Sequence, residues 1–445
     1  MYKILFSIAI LLLSLLPAEA TYSQELSDSQ IEQNLEHLYT EGVRQMNSSQ
    51  LTKALMTFKK ILYYERGYKD TEELFRKVRS ARESLTKTTV TSPTPDGRRT
   101  GLRIYKPKKC YDGYTLFAHR TLDLPGVGIP FPVYLIDMNG NIVYQWMVGG
   151  DTALARLKPN GNLAYITGGS LREVDPRGNI VWRYPGEIDH SFQCLEDGSF
   201  LINRNEWSNE RGTDGYHTEL PHIELISSDK KILWQWKGAK HIDELGKLIG
   251  HRIVLSGWWA NNNHSEILKD NPLSRKDSRF RKGNVLFCYN ALSLIGIIDY
   301  GTGKVVWAWP WGIDVIELPH APTMLDNGHI LIFDNGGSGS KRPWSRVIEL
   351  NPLTEEIVWE YHAEPRESFF SPTMGGATRL ANGNTLICEA TKNRIFEITP
   401  TGEIVWDFIS TFNKAAGTEY IYQAFRYSPA YVRPLLKRIK DLQKR

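Results

Sequence analysis

The 445-residue chain has few cysteines and little net charge, four and +4 respectively. The spacing of the cysteines indicates no clear disulfide framework, so we expect free or buried thiols with at most one disulfide. The four cysteines are Cys110, Cys194, Cys288 and Cys388. The small charge, and the lack of a basic run interleaved with stacking aromatics, exclude a nucleic-acid-binding role. The apolar run of residues 4–16 is short for a membrane-spanning helix.

Residues 1–20 instead have the organisation of a signal peptide. Lys3 supplies the positive n-region, Ile4–Leu16 the apolar region and Ala18–Ala20 a small-X-small cleavage site. We therefore expect a periplasmic or secreted mature protein, with an uncleaved anchor as the alternative.

Residues 21–90 have helical periodicity and predict a small α-helical module. Gly42, Ala54 and Phe58 fall roughly where a tetratricopeptide (TPR) repeat places its small and aromatic packing residues. A simple helical hairpin is the alternative. Such a module suggests a protein partner. Residues 91–113 follow as a Thr-, Ser- and Pro-rich linker and a strand that closes the ring.

Residues 114–410 contain a segment that occurs six times and ends in an aromatic-X-aromatic signature, most clearly in Ile395–Phe408, IFEITPTGEIVWDF. Each copy predicts a strand, a short polar turn and a second strand, with another strand upstream. Six such units predict an all-β, six-bladed β-propeller with the N-terminal helical module attached. Residues 411–445 predict a strap across the propeller followed by a basic helix.

Two other propeller classes fit less well. The Gly-His and Trp-Asp pairs of WD40 repeats are missing. Asp299–Trp307, DYGTGKVVW, resembles the docking repeat of quinone-dependent dehydrogenases, but those typically have eight blades and a calcium site. We therefore expect no bound cofactor.

Three histidines stand at one repeat position, at the start of the first strand in consecutive units. They are His190, His264 and His320. Two arginines, Arg346 and Arg394, match each other on the fifth and sixth units. First strands line the channel of a propeller, so these side chains predict a positive pocket for a small anion. Three histidines could also hold zinc, but the arginines would repel a cation, so we expect no metal.

The sequence resembles the bacterial arylsulfate sulfotransferase family, six-bladed propellers that transfer a sulfuryl group between phenols. The motifs that carry the resemblance are VYLIDMNGNIVYQW (133–146), HSEIL (264–268), PHAPTMLDNGHILIFDNG (319–336), WSRVIEL (344–350) and NGNTLICEATKNRIFEITPTGEIVW (382–406). The helical segment at the N-terminus differs from the β-sandwich that precedes the propeller in that family. The resemblance implies a phenolic sulfate ester and a phenol as substrates, no nucleotide donor, and a covalent histidine intermediate.

Carried over by motif, His264 and His320 match two histidines that hold the sulfuryl oxygens, and Arg346 matches the arginine of that set. The covalent histidine of the family corresponds to Arg394, which is a poor nucleophile because it stays protonated. Either His190 or His320 then takes that role, or the site binds an anionic or sulfated ligand without turnover. Trp258, Trp259 and Trp344 are candidates for an aromatic wall, with packing between blades as the alternative.

Overall fold

The computed structural model divides the chain into two compact units, residues 1–97 and 98–445. It describes residues 28–48, 101–121, 131–148, 152–167, 169–211, 217–250, 259–310, 315–338, 342–412 and 419–443, with isolated positions between these ranges. The predicted signal peptide lies outside the described residues. Among the described helices, none combines the length and the apolar character needed to cross a membrane.

In the first unit, helix α1 (Asp28–Asn47) carries the small residue Gly42. A Cβ atom at Gly42 would lie 2.6 Å from a ring atom of Phe58, so only glycine lets the two segments approach this closely. Ala54 is buried as well. Helical packing at these positions is common to a TPR repeat and to a simple hairpin, so the TPR-like arrangement stays a prediction.

The second unit is a six-bladed β-propeller, as predicted, because its strands form six antiparallel sheets. The strands of the first part are β1 (Leu102–Tyr105), β2 (Tyr114–Thr121), β3 (Phe131–Ile136) and β4 (Ile142–Val148). The second and third blades contain β5 (Thr152–Leu157), β6 (Leu163–Thr167), β7 (Ser170–Val174), β8 (Ile180–Pro185), β9 (Ile188–Cys194), β10 (Phe200–Arg211), β11 (His217–Ile226) and β12 (Ile232–Lys237).

The remaining blades continue in the same order. Helix α2 (Ile242–Ile249) connects the third blade to the fourth. The strands are β13 (Asn262–Ile267), β14 (Val285–Tyr289), β15 (Leu294–Ile298), β16 (Val305–Trp309), β17 (His320–Met324), β18 (Ile330–Asp334), β19 (Arg346–Asn351), β20 (Glu356–Tyr361), β21 (Gly376–Arg379), β22 (Thr385–Glu389), β23 (Arg394–Ile398), β24 (Ile404–Ile409) and β25 (Glu419–Tyr427).

The repeated aromatic signature joins neighbouring blades. The indole N–H of Trp182 on the second blade donates to the carbonyl of Ser228 on the third, at 2.7 Å. The same bond recurs around the ring, with Trp236 to Gly303, Trp359 to Pro400 and Trp406 to Met138. Four fourth-strand tryptophans therefore satisfy their indole donors on a turn of the next blade. The indole nitrogens of Trp146 and Trp307, on the first and fourth blades, are buried without a hydrogen-bond partner among the described residues.

The ring closes in two ways. Strand β25 forms the innermost strand of the first blade, in the order β25-β2-β3-β4, and β1 adds a fifth, outermost strand to the sixth blade. The strap predicted for residues 411–445 is therefore wrong for residues 419–427, which form strand β25 and pair with β2. The C-terminal helix α3 (Pro429–Gln443) buries Val432 and Leu435 in a cluster with residues of the first and second blades.

All four cysteines are free in the structure, and Cys288 and Cys388 are buried. The single disulfide that the sequence left open is therefore absent.

Candidate functional site

The first strands of all six blades contribute residues to one central cavity of about 340 Å³. These strands are β5, β9, β13, β17, β21 and β25. Residues of these six strands line the cavity together, so each blade contributes side chains to its wall. The propeller fold thus brings together side chains that are far apart in the sequence.

His264 and His320 occupy the same position in the first strands of adjacent blades. The Cα partner of His264 is Cys288, and the Cα partner of His320 is Phe333. Cys288 and Phe333 are each the fourth residue of their second strand. Both histidines are buried, each with 5% of the residue surface exposed. Their imidazoles therefore start from equivalent points of the ring.

His190 departs from this register because it lies in an irregular part of β9. That strand pairs Ile188 with Arg204 and Phe192 with Ile202, so three residues, 189–191, face the single residue 203. His190 has a φ of 63°, in the left-handed region that residues other than glycine rarely adopt. In the sequence the three histidines appear equivalent because of their spacing from the following turns. That spacing does not reveal the bulge at His190.

His320 is held by two acceptors at the same ring nitrogen. Its Nδ1 lies 2.8 Å from the side-chain oxygen of Asn335 and 3.1 Å from the carbonyl oxygen of Leu318. The Asn335 amide orientation is set because its nitrogen donates to the carbonyls of Ser371 and Met374, both at 2.7 Å. The hydrogen of the neutral imidazole therefore lies on Nδ1, and Nε2 keeps its lone pair.

Burial lowers the pKa of His320 to about 4, despite the opposing effect of its hydrogen bonds. Positive charge on His190 or His264 lowers this pKa further, which places all three imidazoles within electrostatic range of one another. At neutral pH His320 is therefore uncharged, with an unprotonated Nε2.

His264 is the one member of the three that lines the central cavity. Its Nδ1 lies 3.3 Å from the hydroxyl of Ser191 on the neighbouring blade. Its Nε2 makes no hydrogen bond to the described residues and lies 3.9 Å from the nearest Glu266 carboxylate oxygen. This nitrogen is therefore buried with no hydrogen-bond partner among the described residues.

His190 is paired with the carboxylate next to it in the chain. Its Nδ1 lies 3.1 Å from Asp189, and Arg120 approaches the same carboxylate at 3.8 Å. Burial opposes ionisation of Asp189, but His190 and Arg120 outweigh it and hold the pKa of this carboxyl well below its usual range. A carboxylate beside an imidazole can orient the ring and stabilise its protonated form.

Arg346 lies in an ion pair and does not enter the cavity lining. Its Nε donates to Asp334 at 2.8 Å, Nη1 donates to Glu360 at 2.9 Å, and Nη2 donates to the carbonyl of Val315. Asp334 directly precedes Asn335. The guanidinium therefore fastens the strand end that carries Asn335, and its donors are occupied.

Arg394 is occupied in the same way. Its Nε donates to Asp407 at 2.8 Å and its Nη1 donates to Glu389 at 3.2 Å. The structure does not bring either predicted arginine to the histidines as a free cation.

The three tryptophans of the predicted aromatic wall fall in different places. Trp259 is buried, stacks edge-to-face on Tyr289 and donates to the carbonyl of Glu219 at 2.8 Å, which is a packing role. Trp344 is partly exposed, with the Arg366 guanidinium 4.7 Å from its ring centroid. Trp258 lies outside the described residues.

Sequence reasoning missed a cation that does enter the central cavity, Arg156 on β5. Its guanidinium carbon lies 3.5 Å from the centroid of the Phe425 ring. It also missed Asn335, which sets the tautomer of His320. The sequence signal for Arg156 was its place in the second unit, three residues after the position matched to the histidines.

The described residues contain no group of three or more histidine, cysteine or acidic side chains placed to hold a metal ion.

Fold and site together define a six-bladed β-propeller with a buried histidine, His264, in the lining of its central cavity. The chain belongs to the arylsulfotransferase (ASST) family, whose model matches residues 169–411, more than half of its length. No protein of curated function is significantly similar to it in sequence.

Solved structures with a similar fold are distant in sequence. One is a Bacteroides caccae protein of unknown function, with 14% identity over 71% of this chain and 99% of that chain, and a TM-score of 0.46. A streptogramin B lyase has 13% identity over 71% of this chain and 98% of its own, with a TM-score of 0.39. A virginiamycin B lyase from Staphylococcus aureus has 14% identity over 60% and 72% of the two chains, with a TM-score of 0.36. Neither lyase bears on the function of this chain.

Proposed function

We propose that this arylsulfotransferase-family protein transfers a sulfuryl group from a phenolic sulfate ester to a phenol, and that His320 carries the group between them. The observation that supports this choice is the hydrogen bond from His320 Nδ1 to Asn335, which leaves a lone pair on Nε2. A neutral, oriented imidazole is the form that acts as a nucleophile. Family membership supports the reaction class.

In the first half of the reaction, the His320 Nε2 lone pair forms a bond to sulfur. The bond between sulfur and the phenolic oxygen breaks, and the aryl oxide leaves with the electron pair and is protonated by water. In the second half, the acceptor phenol attacks sulfur and the N–S bond breaks, returning the pair to Nε2. The phenolic proton passes to a base and from that base to the hydroxide that the first half left in solution, so the enzyme ends in its starting state.

His264 and His190 have complementary roles in this scheme. His264 offers an Nε2 without a hydrogen bond to the described residues, on the cavity side of the cluster, where it can bind a sulfuryl oxygen when protonated there. His190, supported by Asp189 at 3.1 Å, is suited to take the proton of the acceptor phenol. His190 is also the alternative nucleophile.

The arginines expected to bind the sulfuryl group take other roles. Arg346 and Arg394 each donate to two carboxylates, so neither has a free planar fork to offer an oxyanion. In this proposal they maintain the blade ends and the histidines bind the sulfuryl group.

We further propose that the mature chain, from residue 21, functions in the periplasm or outside the cell. The composition of residues 1–20 supports this. The helical module is a candidate surface for a protein partner.

Sulfuryl transfer is tested with purified residues 21–445, p-nitrophenyl sulfate as donor and phenol as acceptor. Expected is nitrophenol release that depends on phenol, lost in His320→Ala and strongly reduced in His264→Ala and His190→Ala. His241→Gln is the matched control, because His241 lies outside the cluster and bonds to Glu244. Mixing enzyme and donor without acceptor should leave one sulfuryl group on the protein, which peptide mass spectrometry locates.

The location of that group decides between the two nucleophiles. If the sulfuryl group is found on His190, then His190 is the nucleophile in place of His320 and the reaction class is unchanged. A wild-type protein that binds sulfate esters without turning over any of a panel of phenolic donors would show a binding propeller instead.

A further inference from the structure

Arg156 is a half-buried cation that the proposed transfer does not use. Its guanidinium lies within the propeller and faces the central cavity. Burial lowers the pKa of this group. It contacts the ring of Phe425 at 3.5 Å from the centroid, and no described residue accepts a hydrogen bond from it or forms an ion pair with it. An ion removed from water without a counter-ion is unfavourable, and a bound anion would offset that cost.

The walls around Arg156 are aromatic and apolar. The rings of Tyr427 and Tyr431 stack with centroids 4.9 Å apart. Their hydroxyls are already bound to the backbone of Leu157, at 3.0 and 2.8 Å, so the rings form the wall and the hydroxyls do not point at a ligand. Phe192 adds a third aromatic side chain. The volume of about 340 Å³ is at the lower end of small-molecule sites.

The charges on the cavity lining favour an anion. Lys269 lines the cavity with Arg156, and Glu266 is the one carboxylate among the residues that line it. That carboxylate has its nearest basic group in His264, at 3.9 Å. The Glu266 carboxylate attracts Arg156 electrostatically, but no described carboxylate forms a hydrogen bond or close ion pair with it, and its planar fork matches a carboxylate or sulfate.

We propose that the central cavity binds a small aromatic compound bearing an oxyanion, and that Arg156 holds the oxyanion while the aromatic walls hold the ring. His264 lines the same cavity, so the compound is a substrate of the transfer: a donor with its sulfate on Arg156, or an acceptor phenol that carries a carboxylate. The substrate assignment rests on the proposed function. The binding itself does not.

Binding is measured by isothermal titration calorimetry on residues 21–445 carrying His320→Ala, which removes the proposed nucleophile, so that the donor binds without reacting. The probes are p-nitrophenyl sulfate, 4-hydroxybenzoate, phenol and inorganic sulfate. Expected is binding of the two aryl anions, weaker binding of phenol and of sulfate alone, and a loss of about tenfold to a hundredfold for the aryl anions in Arg156→Gln. Arg156→Lys should recover part of the affinity, because it restores the charge without the fork.

Two controls separate binding from folding. Arg177→Gln removes an exposed arginine and should change neither affinity nor stability. Arg156→Gln should keep or raise the melting temperature, because it removes a half-buried charge that has no close ion-pair partner. A fall in the melting temperature with unchanged affinity would show a structural arginine and overturn the proposal.

The outcomes also separate this site from the reaction. Aryl-anion binding that depends on Arg156 in a protein without transferase activity retains the site and rejects the proposed function. If the protein has transferase activity but the Arg156 variants bind the aryl anions as tightly as the protein with Arg156 intact, the proposed function is retained and the Arg156 site is rejected. If only p-nitrophenyl sulfate depends on Arg156, the site holds the donor. If only 4-hydroxybenzoate does, it holds the acceptor.

Discussion

Asn335 holds His320 in a single tautomer, through a hydrogen bond of 2.8 Å from the imidazole Nδ1 to the amide oxygen. The amide cannot rotate without losing two bonds of 2.7 Å to backbone carbonyls of the following loop. The orientation of the proposed nucleophile is thus determined by residues 371–374 of the sixth blade, far from His320 in the sequence.

Replacing Asn335 by alanine should lower the turnover number by about one to two orders of magnitude, because Nδ1 loses the closer of its two acceptors and the ring can change tautomer. Long-range nitrogen NMR should show a protonated Nδ1 and a bare Nε2 for His320 in the wild type, and a mixture in the variant. Asn384→Ala is the control, since that buried asparagine bonds to Glu397 away from the histidines. A wild-type spectrum with the proton on Nε2 would contradict the assignment.

Acid should destabilise the fold between about pH 6.5 and pH 4, through His119 and His320. Burial lowers the pKa of both to about 4, while an unfolded histidine titrates near 6.5. The unfolded state therefore binds more protons than the folded state in this pH window. The contribution of the two uncharged histidines to the free energy of unfolding is fully present above pH 6.5 and is lost as the pH falls toward 4. The upper limit is about 3 kcal/mol per histidine.

Urea unfolding across that range tests this expectation. His119→Leu removes one of the two groups and should roughly halve the loss of stability, without touching the histidine cluster. A variant that loses as much stability as the wild type on acidification would assign the effect to other groups.

Replacing Arg346 by glutamine should act mainly on stability. The buried Asp334 would keep only the second of its two arginines, Arg342, and we expect a loss of about 3 kcal/mol in the free energy of unfolding. Arg281→Gln is the matched control, because its pair with Asp299 is half-exposed and should contribute about 0–1 kcal/mol. A large rise in KM for the sulfate ester, with stability unchanged, would show that the guanidinium leaves Asp334 to bind substrate.

Closure of the ring should depend on one buried ion pair. Arg426 on β25 lies 3.3 Å from Glu397 on the sixth blade, and both side chains are fully buried. Arg426→Met should cost about 3–5 kcal/mol, because it leaves an uncompensated carboxylate inside the protein. Urea unfolding of Arg426→Met, Glu397→Gln and the double variant measures the coupling energy. Additive effects of the two substitutions would mean that the pair does not couple the blades.

The sequence predicted the propeller well because the physical signal repeats. Each hairpin alternates apolar and polar residues over a short turn, and each fourth strand ends in an aromatic that needs a neighbouring blade. The C-terminal strand was harder to predict, since Glu419–Tyr427 pairs with β2, which lies about 300 residues earlier in the chain. Its partner cannot be inferred from local pattern.

The site shows where such reasoning stops. Glu389 and Arg394 face each other across a tight turn, so their ion pair could have been inferred from hairpin register. Asp334 and Arg346 also face each other, but an 11-residue connection (335–345) separates their strands and hides that register in the sequence.

What the sequence alone determined is the number of blades and the identity of the three histidines, because both follow from a repeating local pattern. Tertiary structure decided which charged groups are free. Arg346 and Arg394 are neutralised by carboxylates on paired strands, whereas Arg156 packs against the Phe425 ring on the innermost strand of the neighbouring blade. Whether a buried cation finds a counter-ion depends on which strands pack around it, and that is settled only when all six blades are assembled.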